Sequence, residues 1–110
     1  MPKVKETYPH NLPLNEVGTR VDMAIEELLS DFQATDIELE KDVKNSAGRV
    51  EFSCKSMGVS VSGEVLIFDD EIEVTIKLPF FAGAYKKRVR GVMDKRIPKY
   101  LKEDYVFPTQ

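Results

Sequence analysis

The sequence predicts a single α+β domain that consists of a helix, a four-stranded antiparallel meander and a second helix, with both helices on one face of the sheet. The first observation behind this prediction is the stretch 58–78, GVSVSGEVLIFDDEIEVTIKL, where β-branched and polar residues alternate on both sides of an acidic turn. A period of two is typical of strands with one buried face. The other two observations are stretches of helical periodicity that flank the strands. We expect the 110 residues to form one domain at 13–102, with a lead-in at 1–12 and a tail at 103–110.

The first helix is predicted at about 13–33. Pro13 fits the first turn of a helix, where the missing N–H of proline costs nothing. The opposite face is acidic and includes Glu16, Asp22, Glu26 and Glu27. The apolar residues share one arc at about 100° per residue, and they are Leu14, Val17, Val21, Ala24, Ile25, Leu28, Leu29 and Phe32.

The meander is predicted from four alternating segments joined by short turns. A weak alternation begins at Ile37 and Leu39, a turn follows at 45–48, and Phe52 alternates inward in a strand at 49–55. Residues 56–58 then turn the chain into the hairpin at 58–78. Short links between consecutive strands favour antiparallel pairing. Gly63, inside the third of these strands, marks either a bulge or a close contact.

The second helix is predicted to begin at Pro79 and to kink or stop at Pro98. Its outward side is basic. Its apolar arc consists of Phe81, Tyr85, Val89, Val92, Met93, Ile97 and Tyr100. Because the first helix is acidic outside, two helices lying side by side would neutralise much of each other's charge.

The net charge of −3 combines two regions of opposite sign. Residues 1–80 carry 8 basic and 16 acidic side chains, whereas residues 81–110 carry 8 basic and 3 acidic ones. Cys54 is the single cysteine, so no intrachain disulfide forms, which suits a reducing compartment. No apolar run reaches the roughly 20 residues that span a bilayer, and the first residues do not form a secretory signal. These features predict a cytoplasmic protein.

Three short motifs resemble one family. They are PHNL at 9–12 before an amphipathic helix, GV at 58–59 with Gly63 in the strands, and EVTIKL at 73–78 before an apolar and basic closing helix. In this order and spacing they resemble the polyhydroxyalkanoic acid system proteins, small bacterial proteins also called the polyhydroxyalkanoate granule region family. The resemblance covers roughly residues 9–101. It implies a setting in polyester storage and brings no catalytic residues with it.

The residues themselves give little support to an enzyme. One histidine and one cysteine cannot form a usual zinc site, and we predict no cofactor. A glycine-rich phosphate loop, a nucleophile elbow and an acid–base pair are all missing from the sequence. Nucleic acid is also an unsuitable partner, because the acidic remainder of the chain would repel phosphates.

The strongest candidate for function is a contact surface. Strand and helix phase place three apolar side chains outward, close in sequence to a basic stretch, and an apolar centre with a basic rim suits an amphiphilic or acidic partner. We therefore predict a non-catalytic accessory protein of polyhydroxyalkanoate storage that binds a granule surface or a granule-associated protein. The alternative is a small-molecule or lipid-binding domain with its ligand between sheet and helices, and a homodimer stays open. The predicted contact residues are Leu66, Phe68, Phe80, Lys86, Lys87, Arg88 and Arg90.

Overall fold

The computed structural model describes residues 2–44 and 47–106, without the side chains of residues 43, 44 and 47. The order of elements is strand, helix, four strands, a short 3-10 helix and a final α-helix. Their bounds are β1 Lys3–Pro9, α1 Leu14–Asp31, β2 Ala34–Lys44, β3 Ala47–Ser56, β4 Val59–Ile67, β5 Glu71–Lys77, the 3-10 helix Phe80–Tyr85 and α2 Lys86–Tyr100. No helix in these described ranges is both long enough and apolar enough to cross a membrane.

The sheet has five strands in the order β1-β5-β4-β3-β2, and every neighbouring pair is antiparallel. The predicted α+β class and antiparallel pairing are confirmed, but the four-stranded sheet was wrong by one strand. The expected lead-in at 1–12 contains β1, which pairs along β5 with Val4 opposite Ile76 and Tyr8 opposite Ile72. Its alternation was hard to read because Glu6 occupies the position between these two buried residues.

The helices lie side by side on one face of the sheet. Side chains of both helices, such as Val21 and Ile97, meet Phe52 and Val74 of the sheet around a void of only about 10 Å³. A space of this size holds at most one water molecule. The core between the sheet and the helices is therefore closed by direct packing.

The start of the second helix differs from the prediction. Phe81 and Tyr85 were expected in the apolar arc, but both are exposed. Because a 3-10 helix has about three residues per turn, Phe80–Tyr85 follows a different phase and turns Ala82 inward instead. The helical phase from Val89 onward is as expected, and α2 ends at Tyr100, two residues after Pro98.

Gly63 is a point of close approach within β4. The register passes through it without a shift, opposite Phe52 on one side and Ile76 on the other, so the residue marks a contact and no bulge. A Cβ atom added at Gly63 would overlap the ring of Phe52. The Phe52 ring thus occupies the space that a side chain at Gly63 would fill.

Replacement of Gly63 should show this overlap directly. We expect Gly63→Ala to lower the free energy of unfolding by about 2 kcal/mol, because the buried ring must leave its position. Urea denaturation measures the change. The matched control is Gly91→Ala in α2, where an added Cβ meets nothing within 4 Å and a small gain in stability is expected. Wild-type stability for Gly63→Ala would contradict the proposed contact, whereas adding Phe52→Leu should restore part of the loss.

Candidate interaction surfaces

The structure divides the predicted contact residues between two ends of the sheet. Leu66 is half-buried on the outer face near one end of β4, and Phe68, 40% exposed, follows β4 at the same end. Phe80, 82% exposed, lies beyond the opposite end of β5. The seven residues of β5 extend roughly 20 Å between these ends. Leu66 and Phe68 therefore do not form one surface with Phe80.

The end that carries Phe68 is tied to the first strand by His10. The Leu12 N–H donates to His10 Nδ1 at 3.2 Å, so Nε2 carries the ring hydrogen and donates to the Phe68 carbonyl oxygen at 2.8 Å. The backbone N–H of His10 also donates to the Asp70 carbonyl oxygen at 2.9 Å. His10 is buried and has a structural role at this turn.

The opposite end carries a cluster of aromatic and basic side chains, which we name the aromatic–basic end and define as Phe80, Phe81, Tyr85, Lys86 and Lys87. The rings of Phe80 and Phe81 are arranged edge to face with centroids 5.8 Å apart, and both are exposed. The two lysines begin α2. Sequence reasoning had placed Phe81 and Tyr85 in the core, so it missed two of the three aromatic members.

Two further features make this end positive. Lys3 and Lys77 are exposed cross-strand partners just before the 3-10 helix. The first turn of α2 contains no acidic residue, although the positive end of the helix dipole favours anionic groups there. The lysines at the start of α2 thus add to an existing positive potential. A negatively charged partner would be favoured at this end.

Arg88 and Arg90 are engaged within the domain. The guanidinium of Arg88 lies 6.0 Å from the centre of the Phe32 ring, over the end of α1. Arg90 Nε donates to Glu6 Oε1 of β1 at 2.6 Å. Of the four basic residues predicted for the contact, Lys86 and Lys87 are therefore those that extend the aromatic surface.

Ion pairs between the helices account for part of the charge asymmetry. Glu27 of α1 accepts from Lys99 Nζ at 2.9 Å and from the Tyr100 hydroxyl, and Arg96 lies 2.9 Å from the same carboxylate. Arg96 also contacts Asp31 at 2.9 Å. The predicted neutralisation between an acidic and a basic helix is present at these residues.

The contacts around Glu27 shift the pKa values of Glu27 and Tyr100. Burial alone would raise the pKa of Glu27, but the hydrogen bonds from Tyr100 and Lys99 and the charges of Lys99 and Arg96 outweigh it, and the pKa is lowered. Burial, reinforced by the hydrogen bond to this carboxylate, raises the pKa of Tyr100. Ionised Glu27 is thus preferred in the folded protein.

This shift predicts a specific pH dependence. The pKa of Glu27 in the folded protein lies below its ordinary value near 4.5. The contribution of Glu27 to the free energy of unfolding is therefore complete above the ordinary value and is lost as the pH falls through the folded pKa. Glu27→Gln should lower the free energy of unfolding by about 1–2 kcal/mol at neutral pH, and the difference from wild type should shrink in acid. Urea denaturation across pH tests this. Exposed Glu26→Gln is the control without effect, and a difference that persists unchanged at low pH would refute the assignment.

Arg20 is a buried charge that sequence reasoning missed. It is 2% exposed, and its Nη1 donates to the carbonyl oxygens of Tyr100 at 2.7 Å and Lys102 at 3.0 Å. These bonds join the start of α1 to the end of α2, whose last carbonyls lack helical partners. Its spacing in the sequence could have predicted this burial, because Arg20 lies three residues after Val17 and four before Ala24 in the apolar arc.

The Cys54 thiol and the Tyr8 hydroxyl are buried, and burial disfavours the ionised form of each. Burial raises the pKa of the Cys54 thiol, which disfavours the nucleophilic thiolate. Burial and a 2.7 Å hydrogen bond to Asp94 likewise raise the pKa of Tyr8. Within residues 2–44 and 47–106, no three His, Cys, Asp or Glu side chains are grouped so that they could hold a metal ion.

A second surface is an open groove between α1 and β2, with a volume of about 780 Å³. Its apolar floor includes Ile37 and Leu39, whose side chains are 46% and 54% exposed. Sequence reasoning found the weak alternation of β2 but did not predict that its apolar residues would stay uncovered.

Comparison with known proteins places the chain in a family. The sequence profile of the family described as "Putative polyhydroxyalkanoic acid system protein" matches residues 5–101. The chain belongs to this family. The resemblance noted from the sequence motifs is thereby confirmed.

Other comparisons add little. Comparison with curated proteins gave no significant match. The crystal structure of TTHA0849 from Thermus thermophilus is 13% identical and covers 91% of this chain and 92% of its own, with a TM-score of 0.36. At this level of similarity, it carries no argument about the fold or the function.

Proposed function

We propose that this protein is a non-catalytic accessory protein of polyhydroxyalkanoate storage that attaches to the surface of storage granules in the cytoplasm through its aromatic–basic end. The observation that carries the proposal is the exposure of Phe80, Phe81 and Tyr85 directly beside Lys86 and Lys87. Membership of the family supplies the setting. A granule-associated protein with an apolar, acidic surface is the other partner that this end would fit.

The chemistry of this end suits an amphiphilic surface. Aromatic rings enter the boundary between water and an apolar phase, while lysine stems lie along it and keep their ammonium groups in water. Burial of one exposed phenylalanine contributes roughly 1.5–3 kcal/mol before the costs of binding. Two phenylalanines therefore give reversible attachment, and the lysines strengthen it where the surface is anionic.

The alternative of a ligand held between sheet and helices receives less support. That interface has a void of about 10 Å³, whereas sites for small molecules usually measure roughly 300–1,000 Å³. The larger of the two spaces described above is the groove beside β2, which is open to solvent. Packing favours a protein that acts through its surface.

Granule flotation tests this proposal. Phe80→Ser combined with Phe81→Ser should reduce the granule-bound fraction about tenfold or more and leave the thermal unfolding temperature almost unchanged, because both side chains are exposed. Lys86→Gln with Lys87→Gln should weaken attachment and flatten its dependence on salt.

The matched control is Phe68→Ser, at the other end of the sheet, which should float with granules as wild type does. If Phe68→Ser abolishes attachment while the Phe80 and Phe81 variant retains it, the surface is misplaced. If all variants and wild type stay in the soluble fraction, attachment to granules is refuted.

A further inference from the structure

The groove between α1 and β2 has an unusual composition for a protein surface. One wall is α1, with Leu29 at its base and Asp22 and Glu26 along its rim. The floor is formed by the inner face of β2 and β3, where Ile37 and Leu39 are exposed beside buried Val50. The second long wall is missing, because β2 is the last strand in the order of the sheet. Apolar side chains that would be covered in a central strand are left open to water.

The edge of β2 is long enough to pair with another strand. It has eleven residues, and a register shift between Thr35 and Glu38 accompanies the positive φ of 51° at Asp36. From Glu38 to Asp42 the pairing with β3 is regular. A regular edge strand presents a row of unpaired N–H and C=O groups to which an extended peptide can add.

On the outer face of β2, the ionisable residues from Glu38 to Asp42 are all acidic. Glu38 and Glu40 lie on the outer face, opposite Ser53 and Glu51, and both are exposed. In the part of the chain that the structure describes, neither forms an ion pair. On the groove side, the cation Lys41 is already paired with Asp22 at 2.6 Å. The edge is therefore apolar toward the groove and acidic toward the outer face.

We propose that β2 binds a segment of a partner protein in which apolar and basic residues alternate, and that this segment adds to the sheet as a sixth strand. Since successive side chains of a strand point to opposite faces, its apolar residues would lie beside Ile37 and Leu39 and form the missing wall of the groove. Its basic residues would lie beside Glu38 and Glu40. This surface is separate from the aromatic–basic end, so a granule-bound molecule could hold a second protein.

Two other occupants fit the charges less well. A second copy that paired through β2 would bring its own Glu38 and Glu40 next to these residues, and like charges on neighbouring strands are destabilising. A fatty acid would fill the apolar floor, but its carboxylate would face Asp22 and Glu26. A cationic peptide gains from the same groups that repel these two ligands.

The test uses the full-length protein and a short fluorescent peptide of alternating valine and lysine. We expect saturable binding that weakens as salt is added. Glu38→Lys with Glu40→Lys, and separately Ile37→Ser with Leu39→Ser, should each lower the affinity about tenfold or more. Hydrogen exchange should show new protection of β2 amides. A peptide of alternating valine and glutamate, and a valine–lysine peptide with methylated backbone nitrogens, should not bind.

Control variants separate this surface from general charge and apolar effects. Exposed Glu103→Lys combined with exposed Asp104→Lys makes the same change in charge elsewhere, and the Phe80 and Phe81 variant removes the aromatic surface. Both should bind the peptide as wild type does. The proposal would be overturned if the Glu38 and Glu40 variant bound the peptide as tightly as wild type does. It would also be overturned if the amides protected from hydrogen exchange lay away from β2. It would also be overturned by displacement of the peptide by laurate, or by a β2-paired dimer that excludes the peptide. Granule flotation plays no part in this test, so it fails or succeeds independently of the proposed attachment.

Discussion

Two helices cannot cover five strands, and the surfaces of this protein follow from that constraint. Five strands at about 4.8 Å spacing form a sheet roughly 24 Å wide, whereas two packed helices cover about 20 Å. The Tyr8–Asp94 hydrogen bond and the Arg90–Glu6 ion pair hold α2 over β1 at one edge. The contacts of Glu27 with α2 keep α1 beside it. The uncovered strand is therefore β2, at the other edge.

The aromatic–basic end has a different origin from the groove beside β2. It arises in the turn from β5 into α2. Pro79 ends the strand pairing, and the chain then forms a 3-10 helix, whose inward position is occupied by Ala82. The larger aromatic side chains before and after it point to water. Since α2 starts immediately afterwards with lysines, apolar and basic groups become neighbours. Both surfaces result from the way the helices meet the sheet, and neither lies within the closed core.

The sequence predicted the parts of the fold that rest on strong periodicity. The alternation in β3, β4 and β5 and the apolar arc of α1 are strong enough to read without a structure, and Gly63 was recognised as a special position. The first strand was missed because Glu6 interrupts its apolar side. Phe81 and Tyr85 were expected in the core because α-helical phase was assumed through Phe81, and proximity in the sequence grouped Phe68 with Phe80. The exposure of the edge strand β2 depends on how far the helices extend across the sheet. The periodicity of a sequence carries no information about that distance.

We propose that the aromatic–basic end is the part of the molecule that contacts the granule. Hydrogen exchange of the full-length protein, free and bound to isolated granules, measures this contact directly. We expect new protection confined to about residues 79–88, with the turn at 68–70 exchanging as in the free protein. Protection centred on the Phe68 turn, or identical exchange with and without granules, would contradict it.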